Sequence, residues 1–225
     1  MIGVICSGGG SAVAAAHRFA SDMGRQFHVI TDRACGIEAF CRDKKVKLDR
    51  IEERDNHTFS ERAVEALRGS GAVVVLLYYD RLISRALTAS WTCINFHPSL
   101  LPAYPGFRAI ERLVADRGGY LGHTCHIADE SMDGGPILAQ SVYPLQTADY
   151  SVTRALDISF VQKLALTLLV VALVTRRMEP QAFLGWWRSI TPTGPGDFIN
   201  PNALSSEAKS IVSQQAAQRR MSIML

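Results

Sequence analysis

The chain has 225 residues, of which 48% are hydrophobic and 20% charged, with a net charge of +3. That is one medium domain with its own core, or one domain with an appended tail, of ordinary globular composition. Lys and Arg are dispersed, without a run of five or six, which speaks against a nucleic-acid footprint. The five cysteines are Cys6, Cys35, Cys41, Cys93 and Cys125, an odd number with no C-x-x-C spacing. They exclude a disulfide framework and a zinc motif, and they fit a reducing, cytoplasmic setting.

The chain opens with the apolar run 1–6, which lacks a basic flank and an A-x-A site. It reads as a first strand, not a signal peptide. The segment Ser7-Gly8-Gly9-Gly10-Ser11 follows, then the Ala-rich stretch 13–23, a helix by propensity. Residues 27–31 form a second strand, 35–43 a helix and 46–48 a third strand. Helical spacing over 59–68 makes Thr58 the candidate N-cap. The near-continuous apolar run 72–78 suits a strand buried on both faces of a parallel sheet, and 91–96 is a further strand.

After Gly119 the pattern changes. Residues 124–128 and 137–142 read as two strands joined by a Gly-containing loop, and 150–177 as one long helix. Its uninterrupted apolar stretch, about 164–174, is too short for a bilayer crossing of roughly 20 residues and reads as buried. A breaker-rich linker at 191–196 and a terminal segment at 205–225 follow, amphipathic or partly disordered. Strands alternating with helices imply an α/β fold with a doubly wound, mostly parallel sheet, ending in a long helix and a tail. The domain division is 1–178 for the main domain and 179–225 for a C-terminal extension.

Three segments could carry chemistry. Ser7 to Ser11 joins a strand to a helix, where glycines allow close backbone approach and helix N–H groups attract anions. It is neither G-x-G-x-x-G nor a P-loop. Asn95 and His97 share one face of a strand, because side chains alternate with period two. That strand ends in the proline-rich loop Pro98-Ser99-Leu100-Leu101-Pro102, at the sheet edge where open α/β folds bind ligands. The third segment, Asp129 to Ile137, reads on its own as an acidic turn with two glycines and a proline after Asp133.

Together, Asn95-x-His97-Pro98-Ser99-Leu100-Leu101-Pro102, Gly122-His123-Thr124-Cys125-His126 and Asp133-Gly134-Gly135-Pro136-Ile137 resemble the folate-dependent formyltransferase family. The resemblance covers about 1–177. It implies that Asn95, His97 and Asp133 are catalytic and that Tyr79, Asp80, Arg81, Leu82, Ile83 and Asp129 hold the donor, 10-formyltetrahydrofolate. It places Ser7, Gly8, Gly9, Gly10, Ser11 and Gln162 on the amine substrate, and implies a cis Leu101–Pro102 bond and no metal. Asn95 would donate to the oxyanion of a tetrahedral intermediate, joined by a protonated His97. Asp133 would raise the histidine's pKa and move the amine's proton.

The resemblance also has departures. Ala12 stands where the glycinamide ribonucleotide enzymes carry Asn, Gln162 or neighbouring Lys163 where they carry Glu, and Asp80 where they carry Met. A small amine acceptor, anionic or phosphorylated, is therefore expected, with folate, without nucleic acid or membrane, and with a homodimer left open. Two rival readings are a formyltetrahydrofolate hydrolase (deformylase) and a non-catalytic nucleotide-binding module using the glycine loop and Asp32.

Overall fold

The computed structural model describes residues 1–175. The extension 179–225, with Trp186 and Trp187, the linker and the terminal segment, lies outside the described residues.

Five parallel strands build most of the sheet: β1 (Ile2–Cys6), β2 (Phe27–Thr31), β3 (Lys47–Arg50), β4 (Val75–Tyr78) and β5 (Cys93–His97). A hairpin of β6 (Tyr120–Ile127) and β7 (Ile137–Pro144) adds two antiparallel strands beside β5. The order across the sheet is β3-β2-β1-β4-β5-β6-β7. Chain order reverses between β1 and β4, which creates the crevice of a doubly wound fold.

The period-two alternation of the strands separates two cores. Val4, Val29, Leu76, Ile94 and Phe96 pack beneath α1 (Ser11–Asp22) and α6 (Val152–Thr175). Ile5, Ile30, Val75, Leu77 and Cys93 pack on the opposite side, beneath α3 (Asn56–Leu67) and the short α4 (Arg85–Thr88). Both faces are covered, so β1 and β2 are buried at every residue, including the polar His28 and Thr31 of β2. Two further helices, α2 (Ile37–Lys44) and α5 (Ala109–Ala115), complete the described elements together with a 3₁₀ turn at Thr147–Asp149.

Most expected elements form, with shifted ends. The helix expected over 59–68 begins at Asn56, and its cap is Asp55 rather than Thr58. The Asp55 carboxylate accepts the Thr58 backbone N–H at 2.7 Å, the bond an N-cap makes to the third helical residue. Strand β5 extends to His97, and β6 begins at Tyr120, four residues before the expected start at Thr124. Helices α4 and α5 span only four and seven residues and carry no long apolar period to announce them.

Helix α6 differs from expectation in one respect. Its 24 residues are long and apolar enough to cross a membrane, although its uninterrupted apolar run is not. The helix is apolar around its whole circumference because it is enclosed: 83% of its most apolar window is buried against the sheet and α1.

Candidate active site

The carboxyl ends of β4 and β5 open into a cavity of about 290 Å3. Asn95 and His97 reach it from β5, and the segment 79–83 lines it directly after β4. The loop between β6 and β7 brings Asp129 and Asp133 back over the same edge. The trio and the expected donor segment thus meet in one place, although 38 residues separate Asn95 from Asp133.

Asp133 is the hub of the trio. Its Oδ1 accepts from the Asn95 amide at 3.2 Å, and its Oδ2 accepts the Gly106 backbone N–H at 2.7 Å. The Nδ1 of His97 lies 3.1 Å from the same Oδ2. Asp133 itself has φ 55, in the left-handed region, which turns its carboxylate back toward β5. Burial alone would raise the Asp133 carboxyl. The His126 hydrogen bond, the Gly106 N–H and the adjacent His97 outweigh it and hold the pKa down at about 2.

His97 is buried, with an acceptor oxygen within 3.1 Å of each ring nitrogen. Its Nε2 donates to the Tyr104 carbonyl at 2.8 Å, which leaves Nδ1 toward Asp133. The expectation that Asp133 raises this histidine's pKa holds only for that one interaction. Burial, the larger effect, carries the ring below the ordinary histidine range, against the upward pull of the Tyr104 carbonyl and the Asp133 charge.

The loop supplying Tyr104 is pinned by a buried polar network. Thr124 donates to the Ser99 carbonyl at 2.6 Å and accepts the Leu101 N–H at 3.1 Å. Gln140 donates to the Leu101 carbonyl and to Thr124 Oγ1, both at 2.9 Å. Ser99 donates to the Ala103 carbonyl at 2.6 Å. The Leu101–Pro102 bond inside this loop is cis.

His126 is the site residue to which sequence reasoning assigned no role. Its Nε2 lies 3.1 Å from the Asn95 amide nitrogen and 3.5 Å from Asp133 Oδ1. Its Nδ1 lies 3.2 Å from the Ile127 carbonyl. A proton on Nδ1 lets Nε2 accept from Asn95 and orient that amide, whereas a proton on Nε2 makes this nitrogen the donor to Asp133. The signal lay in the segment Gly122 to His126: His126 stands opposite Asn95 in the β5–β6 register, as Thr124 stands opposite His97.

The expected acceptor residues do not line this cavity. Ser7 to Ser11 sits at the carboxyl end of β1, where Gly10 (φ 64) precedes α1. A Cβ on Gly10 would come 2.0 Å from the Ile37 Cδ1, whereas Gly8 and Gly9 have open space at that position. Gln162 is buried between α6 and β6, donating to the Leu121 carbonyl at 3.3 Å. Asp129 accepts the Ser131 backbone N–H at 2.8 Å and the Ser131 hydroxyl. Asp32, the residue the nucleotide-binding reading requires, has its carboxylate bonded to Arg33 and Arg81. Cys93 and Cys125 are buried thiols, and burial raises the pKa of both, Cys93 to about 12.

The chain is similar to the phosphoribosylglycinamide formyltransferase of Bacillus subtilis (strain 168), at 37% identity over 94 residues. That stretch is 40% of this chain and 48% of the Bacillus protein. It is similar also to the methionyl-tRNA formyltransferase of a Nitratiruptor species, at 31% identity over 90 residues, 40% of this chain and 30% of that protein. The chain thus spans half or less of the length of these curated relatives. Among solved structures, glycinamide ribonucleotide transformylase 1 from Symbiobacterium toebii superposes with a TM-score of 0.72 at 26% identity. That match covers 78% of this chain and 87% of the other. The formyl transferase family model matches residues 2–167, most of the described chain and all of the trio, and the chain belongs to that family.

Proposed function

We propose that the protein transfers a formyl group from 10-formyltetrahydrofolate to a primary amine on a small, anionic acceptor. The observation that carries this reading is the convergence of Asn95 and His97 on Asp133, at 3.2 and 3.1 Å, beside segment 79–83. The acceptor nitrogen attacks the formyl carbon, and a C–N bond forms as the carbonyl oxygen takes up the charge. The Asn95 amide, and the His97 Nδ1 once that nitrogen is protonated, are the two donors that can turn from Asp133 to that oxygen. One such donor is worth about 3–4 kcal/mol in the transition state. Asp133, released by those two donors and still held by the Gly106 N–H, stabilises the ammonium forming on the attacking nitrogen. It relays that proton toward the leaving nitrogen of the folate as the second C–N bond breaks. The open backbone at Gly8 and Gly9, at the head of α1, supports an anionic group on the acceptor.

The test is an acceptor screen. The protein is given 10-formyltetrahydrofolate with pools of small amines, and products gaining the mass of one formyl group are sought. Release of formate at the same rate with and without amine would establish the hydrolase reading instead.

A further inference from the structure

One ion network at the cavity is not used by the chemistry above. Arg33, two residues past the end of β2, donates to both oxygens of Asp32, at 2.7 and 3.0 Å. The same guanidinium donates to both oxygens of Asp80, at 2.8 and 3.3 Å. Asp80 is the second residue of the segment that follows β4 and lines the cavity. Its neighbour Arg81 donates to the Asn56 side chain at 3.1 Å, to the Glu53 carbonyl at 2.7 Å, to the Arg54 carbonyl and to Asp32 at 3.4 Å. The Arg81 guanidinium also lies over the rings of Phe59 and Tyr79.

Asp80, through Arg33, and Arg81 directly are therefore tied to one carboxylate after β2, Asp32, whose side chain is 3% exposed, and Arg81 is tied also to Asn56 at the start of α3. Arg81 is committed to protein acceptors and acts as an anchor. The segment 79–84 has no helix or strand of its own, so side-chain ties set its path. Beyond Asp80 it must place Leu82 at the cavity mouth and Ile83 in the core.

We propose that Arg33 is a positioning residue for the formyl donor: by clasping Asp80 to the buried Asp32 it fixes segment 79–83 along the cavity. Donor affinity, rather than the chemical step, depends on this bridge. The inference rests on the donor reading given above. The Arg33–Asp80 bridge is half-exposed, at 46% and 56%, so its net contribution to folding is small. Its effect lies in direction: a planar fork spanning two carboxylates admits one loop path, and losing it lowers the fraction of protein ready to bind.

The test compares Arg33→Met and Arg33→Lys with the parent, using calorimetric titration with tetrahydrofolate, steady-state kinetics and thermal unfolding. Arg33→Met is expected to raise the donor's Kd and KM about five- to tenfold with kcat within about twofold and the unfolding midpoint unchanged. Arg33→Lys, which keeps the charge but loses the fork, falls between Arg33→Met and the parent, a graded recovery that a general loss of structure would not show. Unchanged tetrahydrofolate binding in Arg33→Met, or a lowered kcat with donor affinity unchanged, overturns the clasp. Failure of the unaltered protein to bind tetrahydrofolate overturns the donor reading itself and is distinguished by appearing before any substitution.

Discussion

The Nδ1 of His97 lies 3.1 Å from the Oδ2 of Asp133, while the opposite nitrogen of the same ring is held by a backbone carbonyl. A carbonyl only accepts, so Nε2 carries a proton. The contact with Asp133 then becomes a hydrogen bond only when Nδ1 is protonated as well. Asp133 therefore fixes the ring at the orientation from which its second proton can be offered to a substrate oxygen. His97→Ala and Asp133→Asn are each expected to lower formyl-transfer turnover at least about a hundredfold, with circular dichroism unchanged. Near-parental formylation by either variant would sink the mechanism.

Acid stability reports on the same carboxylate. The folded-state pKa of Asp133 is about 2, against 3.8 when unperturbed. A depressed carboxyl stabilises the fold above its unfolded pKa, and that stability is lost as pH falls through the folded value. The contribution, about 2 kcal/mol at neutral pH, should disappear between roughly pH 4 and pH 2. Denaturant titrations across that window should show a smaller decline for Asp133→Asn than for the parent. Equal declines would show that Asp133 is not held down by its neighbours.

Glycines in the first loop separate folding from binding. Gly10→Ala places a methyl 2.0 Å from Ile37 Cδ1 at φ +64, and should cost about 2–4 kcal/mol in thermal unfolding. Gly9→Ala meets nothing within 4 Å, and should leave stability within about 0.5 kcal/mol. If an anionic acceptor lies against this backbone, Gly9→Ala raises the acceptor's KM while the donor's KM stays put. An unchanged acceptor KM would remove the loop from the site.

Thr124→Val keeps the shape of the side chain and deletes its hydroxyl. The Leu101 N–H and one Gln140 N–H then lose their acceptor, and the Ser99 carbonyl loses its donor, all in the interior. A loss of about 2–3 kcal/mol is expected, together with reduced turnover, because the loop carries the Tyr104 carbonyl that orients His97. Full turnover at reduced stability would confine the network to folding.

Much of this arrangement was legible in the amino-acid order. Asn95 and His97 could be placed on one strand face because period two is a local rule. The apolar run before Tyr79 marked a strand covered on both sides. Asp133 became visible only through the ordered motifs, since its own surroundings read as a turn. What stayed hidden depends on distance along the chain. The role of His126 follows from an antiparallel register that pairs it with a residue 31 positions earlier. The downward shift of His97 follows from burial in the folded chain, which a local string does not record. Asp55 and Thr58 are both acceptable caps in composition, and only backbone geometry chooses between them.

The register of β6 has a consequence for how this chain can vary. His126 and Thr124 point to the same side because they are two apart, one serving the reacting centre and the other the loop beside it. Inserting one residue after Cys125 would rotate one of them to the helix-covered side and leave the other in place. Gly118 and Gly119 sit ahead of the strand, where added length could be absorbed as a longer turn. Length changes in related chains should therefore collect at that turn and avoid the stretch from Thr124 to His126, even though neither side chain appears in the catalytic trio.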